Sequence, residues 1–197
     1  MSFQVTLIGA SGNPITRGPK LSHHLQQVLN AAESIREQRK SKEVHPTTEK
    51  SRIEEEDILA AIAIGGGRAA QVLAVTGKLD ADKLCKHLKI DRHLIHIDTD
   101  QTHIDGNLPL SVRGSFSVMA NFYVEKALQL AEIAGDSEVT TEHLLYTTLD
   151  MNRTASAPRL VRDLTSDFHD PTDNVKKALG YNQHHYALFQ AKRHIDF

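Results

Sequence analysis

Two stretches, IEEEDILAAI at Ile53 to Ile62 and VTTEHLLYTT at Val139 to Thr148, follow one order of residue types: a β-branched residue, a polar turn holding a glutamate, then an apolar pair. Upstream of each lies a long amphipathic segment, HHLQQVLNAAESI in the first half and NFYVEKALQLAEIA in the second, and the two overlay without gaps. Leu25, Val28, Leu29, Ala32 and Ile35 then fall on Val124, Ala127, Leu128, Ala131 and Ala134. Recurrence at i, i+3, i+4 and i+7 is the apolar stripe of a helix that packs on one face. A pattern written twice in one chain sets the architecture before any single residue is interpreted. The expectation is two related helical bundles.

Working outward, residues 1–20 form a separate leader in which Phe3, Val5 and Leu7 alternate with polar residues before the breakers of GASGNPITRGP, which predicts a strand and a loop. The first unit spans 21–90. Its long helix begins near Leu21 or Ser22 and runs to about Arg39, and Ser51 with Glu54 has capping-box spacing for the second helix, which buries Ile58, Leu59 and Ile62. Gly65, Gly66 and Gly67 end that helix; RAAQVLAV forms a third that stops at Gly77, and ADKLCKHL a fourth capped by Asp80. A linker, 91–114, lacks helical periodicity, and a strand is expected at Leu94 to Ile97, paired with Phe3 to Ile8. The second unit, 115–180, repeats the order: a long helix to Ala134, one from Thr140 to about Asp150, one near Ala157 to Leu164, and one starting at Asp170 before Pro171. The tail, 181–197, carries Tyr186, Leu188 and Phe189 on a possible short docking helix.

Composition narrows the function classes. With 23 basic and 25 acidic side chains and a formal charge of −2, the chain lacks the concentrated basic surface that nucleic acid demands. Cys85 is the single cysteine, so no intramolecular disulfide and no cysteine-based zinc site is expected. No apolar run approaches the roughly 20 residues of a membrane span, and MSFQVTLIGASG does not read as a secretion signal. A soluble, cytoplasmic protein with no membrane partner is the expectation.

The second stretch, EVTTEHLLYTTL, with the helix before it, resembles the Clp N-terminal repeat, the module at the front of Clp-type AAA+ unfoldases. Thr141, Glu142, His143, Leu144 and Leu145 match that repeat's signature in full, whereas Glu55, Glu56, Asp57, Ile58 and Leu59 keep the glutamate and the apolar pair and lose the threonine and histidine. GGGRAAQVLAVTGKLDADKL adds the Ala-Ala, Val-Leu and glycine pattern of the family. The resemblance implies a mostly α fold of tandem pseudo-twofold four-helix repeats, about eight helices in all, with a small two-stranded β addition. The chain departs from the family in a longer loop after the first long helix, a long inter-repeat linker and the extra leader. No AAA+ engine follows the repeats, and GGGR lacks the Gly-Lys-Ser/Thr ending that cradles a nucleotide phosphate.

By the same resemblance, the site would bind a phosphoarginine-like degradation tag or a peptide, with Glu142 and Thr141 in the second unit and Glu56 in the first. A carboxylate fork matches a planar guanidinium, and free amides at a helix start attract an anion. Glu55 stands where the family has threonine and would repel a phosphate. The implied function is non-catalytic recognition that regulates or feeds a Clp ATPase or protease, through its substrates or adaptors, with no cofactor and no metal. A plainer reading stays beside it, in which acidic residues in a first helical turn simply favour the helix dipole, and His143 caps or packs. A helical interaction module without a tag site, homodimeric or otherwise, is the alternative. A nucleotide-dependent enzyme using Gly9 and Gly12 is the remote one, since Ile15 occupies the third glycine position of that fingerprint. His93, His96, Asp98, Asp100, His103 and Asp105 match no metal motif, His23-His24 and His184-His185 read as surface, and Cys85 reads as a buried small apolar residue.

Overall fold

Ser22 starts the first helix: its extended backbone leaves the hydroxyl free to accept from the Leu25 N–H at 3.2 Å, and α1 runs His23–Ser41 with Arg39 and Lys40 at its negative end. The computed structural model describes residues 19–42, 52–95, 97, 116–150, 156–165 and 171–180. Within them α2 spans Glu55–Gly65, α3 Gly67–Val75, α4 Ala81–Leu88, α5 Val118–Ala134, α6 Thr141–Asp150, α7 Ser156–Thr165 and α8 Pro171–Leu179. The protein is thus mostly helical, with one small parallel sheet made of β1 (Lys20–Leu21) and β2 (Glu138–Val139). No single helix among the described residues is long and apolar enough to cross a membrane.

The sheet joins the two halves crosswise. Leu21, just before α1, pairs with Val139, just before α6, and Ile53, before α2, bridges Phe116, before α5. Each pairing is closed by a capping serine, since Ser22 N–H donates to Val139 C=O at 2.9 Å and Ser117 N–H to Ile53 C=O at 2.9 Å. Ser117 caps α5 as Ser22 caps α1, accepting from Ala120 N–H at 3.1 Å. Helix contacts repeat the pattern: α1 lies along α2 and α5 along α6, while α1 also touches α6 and α5 touches α2. Leu25, Val28, Ile58, Leu59, Tyr123, Leu130, Leu144 and Leu145 from both halves are buried in one continuous core.

The capping serines correct the overlay that periodicity suggests. Counted from Ser22 and Ser117, Leu25 stands against Ala120, Val28 against Tyr123, Leu29 against Val124, Ala32 against Ala127 and Ile35 against Leu130, and all ten are buried. That register differs from the periodicity match by one helical turn. Four residues rotate a helix by a full turn plus about 40°, so an apolar stripe matches itself nearly as well after the slip.

Two further expectations change. The capping box of α2 is Glu54 with Asp57, not Ser51 with Glu54, so the helix begins later; Ser51 lies outside the described residues. No strand forms at Leu94 to Ile97: Arg92–Leu94 is a 3-10 turn. Asp91 explains it, because its carboxylate accepts from His93 N–H at 3.0 Å while its own backbone exchanges hydrogen bonds with the Gln38 side chain at 2.9 and 3.2 Å. Phe3 to Ile8, the proposed partner, Asp170 and the tail lie outside the described residues.

Glycines shape the first half at two points. Between α2 and α3 the chain bends by 103° at Gly66, whose φ of 75° and ψ of −155° suit glycine alone. At Gly77 an added Cβ would sit 2.6 Å from the Leu73 carbonyl oxygen and 3.0 Å from Val175 Cγ2, which brings the end of α3 tight against α8. Gly77→Ala is expected to destabilise the fold by about 1–3 kcal/mol, measured by urea unfolding. Ser22→Ala and Ser117→Ala should each cost about 1 kcal/mol, and a large inequality between them would show that the two caps are not equivalent.

Candidate functional site

The start of α6 is built on a polar tie unlike a serine cap. Thr140 backbone N–H donates to His143 Nδ1 at 3.1 Å, and His143 Nε2 lies 3.0 Å from Asp136 Oδ2. The ring is 3 % exposed, so it is a buried capping residue, as the sequence suggested. Burial pulls the imidazole below its ordinary value, against Asp136 and Glu142, which favour the charged form. Asp136 reaches this place because α5 ends at Gly135, left-handed with φ 78°, and the Asp136 N–H closes back on the Ala131 carbonyl at 2.9 Å.

Beside this tie lies an open pocket of about 490 Å³ lined by Glu142, His143, Thr140, Asp136, Glu138 and Arg68, with Leu179 and Gly180 at one edge. Of the sequence-predicted site residues, Glu142 lines it. Thr141 does not; it is 2 % exposed and its hydroxyl donates to Glu142 Oε2 at 3.2 Å, which steadies that carboxylate from behind. Glu56 holds the same place in α2 that Glu142 holds in α6, the second helical residue, and is likewise half-buried, but it does not line this pocket. The structure therefore brings Glu142 and Thr141 together and leaves Glu56 apart.

Arg68, Asp136 and Glu138 escaped the sequence reading. Arg68 opens α3 immediately after the bend and donates to the carbonyl oxygens of Leu179 and Ala178, at 3.3 and 3.5 Å, so one half of the chain closes the last turn of the other. The GGGR signal was visible, but only as a failed nucleotide loop. Asp136 and Glu138 carry no motif and depend on how α5 ends.

At the matching start of α2, an aspartate takes the role of the histidine. Asp57 Oδ2 accepts from Glu54 N–H at 2.8 Å and from Arg39 at 2.6 Å, with no exposure to solvent. Burial pushes the Asp57 carboxyl up to about 6, further than Arg39 holds it down. Burial also lowers Arg39, yet attraction from Asp57, Glu56 and Glu54 outweighs that and its net shift is upward. The asymmetry is physical: Arg39 keeps some exposure and faces three carboxylates, whereas Asp57 is sealed in. Glu54 is raised as well, by burial, although the Ser117 hydroxyl donates to it.

Other candidates resolve simply. Cys85 is buried, which raises its thiol, and it serves as a small core residue. His24 is not a plain surface residue, since its Nε2 lies 3.4 Å from Gly66 O and its ring fills the space beside Gly67. Among the described residues no group of three metal-ligating side chains occurs; most of the linker cluster from His96 to Asp105, like Gly9, Gly12, Ile15 and His184-His185, lies outside them. No protein-family model matches this chain. No curated protein matches it either.

The Asp57 geometry sets a pH dependence. A carboxyl whose folded value is raised takes up its proton more readily when folded, so its contribution to stability is complete below about pH 4 and is lost as pH rises through about 6. Relative to Asp57→Asn, the wild-type chain should lose roughly 2–3 kcal/mol between those limits, read from paired urea unfolding curves. A difference independent of pH would remove Asp57 as a buried titrating group.

Proposed function

We propose that the chain is a non-catalytic recognition module of the Clp N-terminal type, built of two related four-helix units, that binds a tag, a substrate segment or an adaptor and regulates or feeds a Clp ATPase or protease. The observation that carries this reading is the crosswise pairing, in which the segment before α1 meets the one before α6 and the segment before α5 meets the one before α2. Two copies of one unit related by a pseudo-twofold axis would pair in that way, and the capping serines fall in matching places. Glu142 at the wall of an open pocket, backed by Thr141, is consistent with tag binding through its carboxylate.

A specific observation favours the second reading, an interaction module that lacks the tag site. Glu142, Asp136 and Glu138 line the pocket together, and the single guanidinium there, Arg68, is already spent on the end of α8. A phosphate would meet mostly negative charge. Calorimetry with free phosphoarginine separates the two: tag binding predicts saturable heat that Glu142→Ala weakens by about tenfold or more, the loss of one charge-assisted bond. Absent saturable heat, with a Clp ring still recovered in a pull-down, would leave the adaptor role and remove the tag. Recovery of neither would sink the Clp assignment.

A further inference from the structure

We propose that His143 is a proton-operated latch: a neutral ring fastens the β2–α6 junction and one wall of the pocket, and a protonated ring releases the Thr140 amide. The reasoning begins with the donor that faces Nδ1. A backbone N–H can only donate, so the contact from Thr140 N–H to Nδ1 at 3.1 Å requires that nitrogen to be bare. The single ring proton of the neutral form then sits on Nε2 and is donated to Asp136 Oδ2 at 3.0 Å. A second proton has nowhere to go but Nδ1, where it would point at the amide hydrogen.

The neighbouring hydroxyl supplies the other state. Thr140 Oγ1 lies 3.0 Å from Nδ1 and can accept from an imidazolium, so protonation exchanges a backbone tie for a side-chain one and leaves the Thr140 N–H without its acceptor. That amide sits between Val139, the residue paired with Leu21, and Thr141, the first residue of α6. The charged groups around the ring are Asp136 from the turn after α5, Glu138 from β2, Glu142 from α6 and Arg68 from α3, while α8 presents Leu179 and Gly180. The carboxylates favour the imidazolium and burial opposes it. Protonation would also remove one unit of the pocket's negative charge. The latch stands whether or not the pocket receives a tag, because it needs only the cap and its two partners.

The test is nuclear magnetic resonance on the full chain, following the His143 ring nitrogens and the exchange protection of the Thr140 amide. The Ala120 amide, capped by Ser117 instead, reports any general loosening. His143→Asn keeps an oxygen acceptor at a position where the oxygen of Asp57 serves on α2, and it cannot take up a proton. The expected result is an Nε2–H tautomer at about pH 8 and a fall of about tenfold in Thr140 protection as the ring titrates toward about pH 5. Ala120 should hold steady, and the asparagine variant should show no such fall. An Nδ1–H tautomer, or Thr140 protection unchanged while His143 gains its proton, overturns the latch. So does a parallel fall at Ala120. The first two readings need only the wild-type chain.

Discussion

The fold depends on two backbone hydrogen bonds, from Ser22 N–H to Val139 C=O and from Ser117 N–H to Ile53 C=O. A helix start exposes amides with no partner inside the helix, and here the residue before each long helix meets that need twice over. Its hydroxyl caps its own helix, and its N–H reaches the segment that leads into the inner helix of the opposite half. Because each bond fixes where one helix begins relative to another in the other half, α1 and α5 cannot shift along α6 and α2 without breaking a cap or a pairing. The strands need be only two residues long, since they set register and leave the burial of apolar area to the helices.

That arrangement explains why polar residues are buried at the starts of α2 and α6. Both begin where strand pairing ends, at the seam between halves, so their first amides are shut away from water and must find acceptors inside. Asp57 and His143 are those acceptors. Each in turn needs an outer partner to offset its own burial, Arg39 for the one and Asp136 for the other. The pocket lies beside the second of these chains because Asp136 comes from an exposed turn, whereas Arg39 lies within α1.

Much of the helical layout was legible. Asp80 and ADKLCKHL gave α4 to the residue, and the glycines placed the break between α2 and α3. What the chain did not advertise is what depends on contacts between distant segments. Lys20–Leu21 has no alternation to read, and its pairing with Glu138–Val139 exists because two helix starts meet. LIHI looked like a strand by composition, but Gln38, more than 50 residues away, holds the Asp91 backbone in a turn. Glu142 was found through its motif, while Arg68, Asp136 and Glu138 reach the pocket from three other segments and had no common signal. The one-turn slip in the overlay has the same origin: periodicity reports which face is buried, and only a cap reports where the helix begins.

The two inner caps show which feature the architecture constrains. At one, the acceptor is an anion held by a cation; at the other, a neutral ring held by an anion. Charge is reversed in the outer partner and the geometry of the first amide is kept, 2.8 Å in one half and 3.1 Å in the other. The requirement is therefore for an acceptor three residues past the strand pairing, and any side chain that offers one without needing water satisfies it. The two solutions respond to acid in opposite senses. Asp57 costs least when protonated, since protonation removes a buried charge, whereas His143 serves only while Nδ1 is bare. Lowering the pH thus relieves the start of α2 and weakens the start of α6, so the two halves, matched in backbone, are unequal in what a proton does to them.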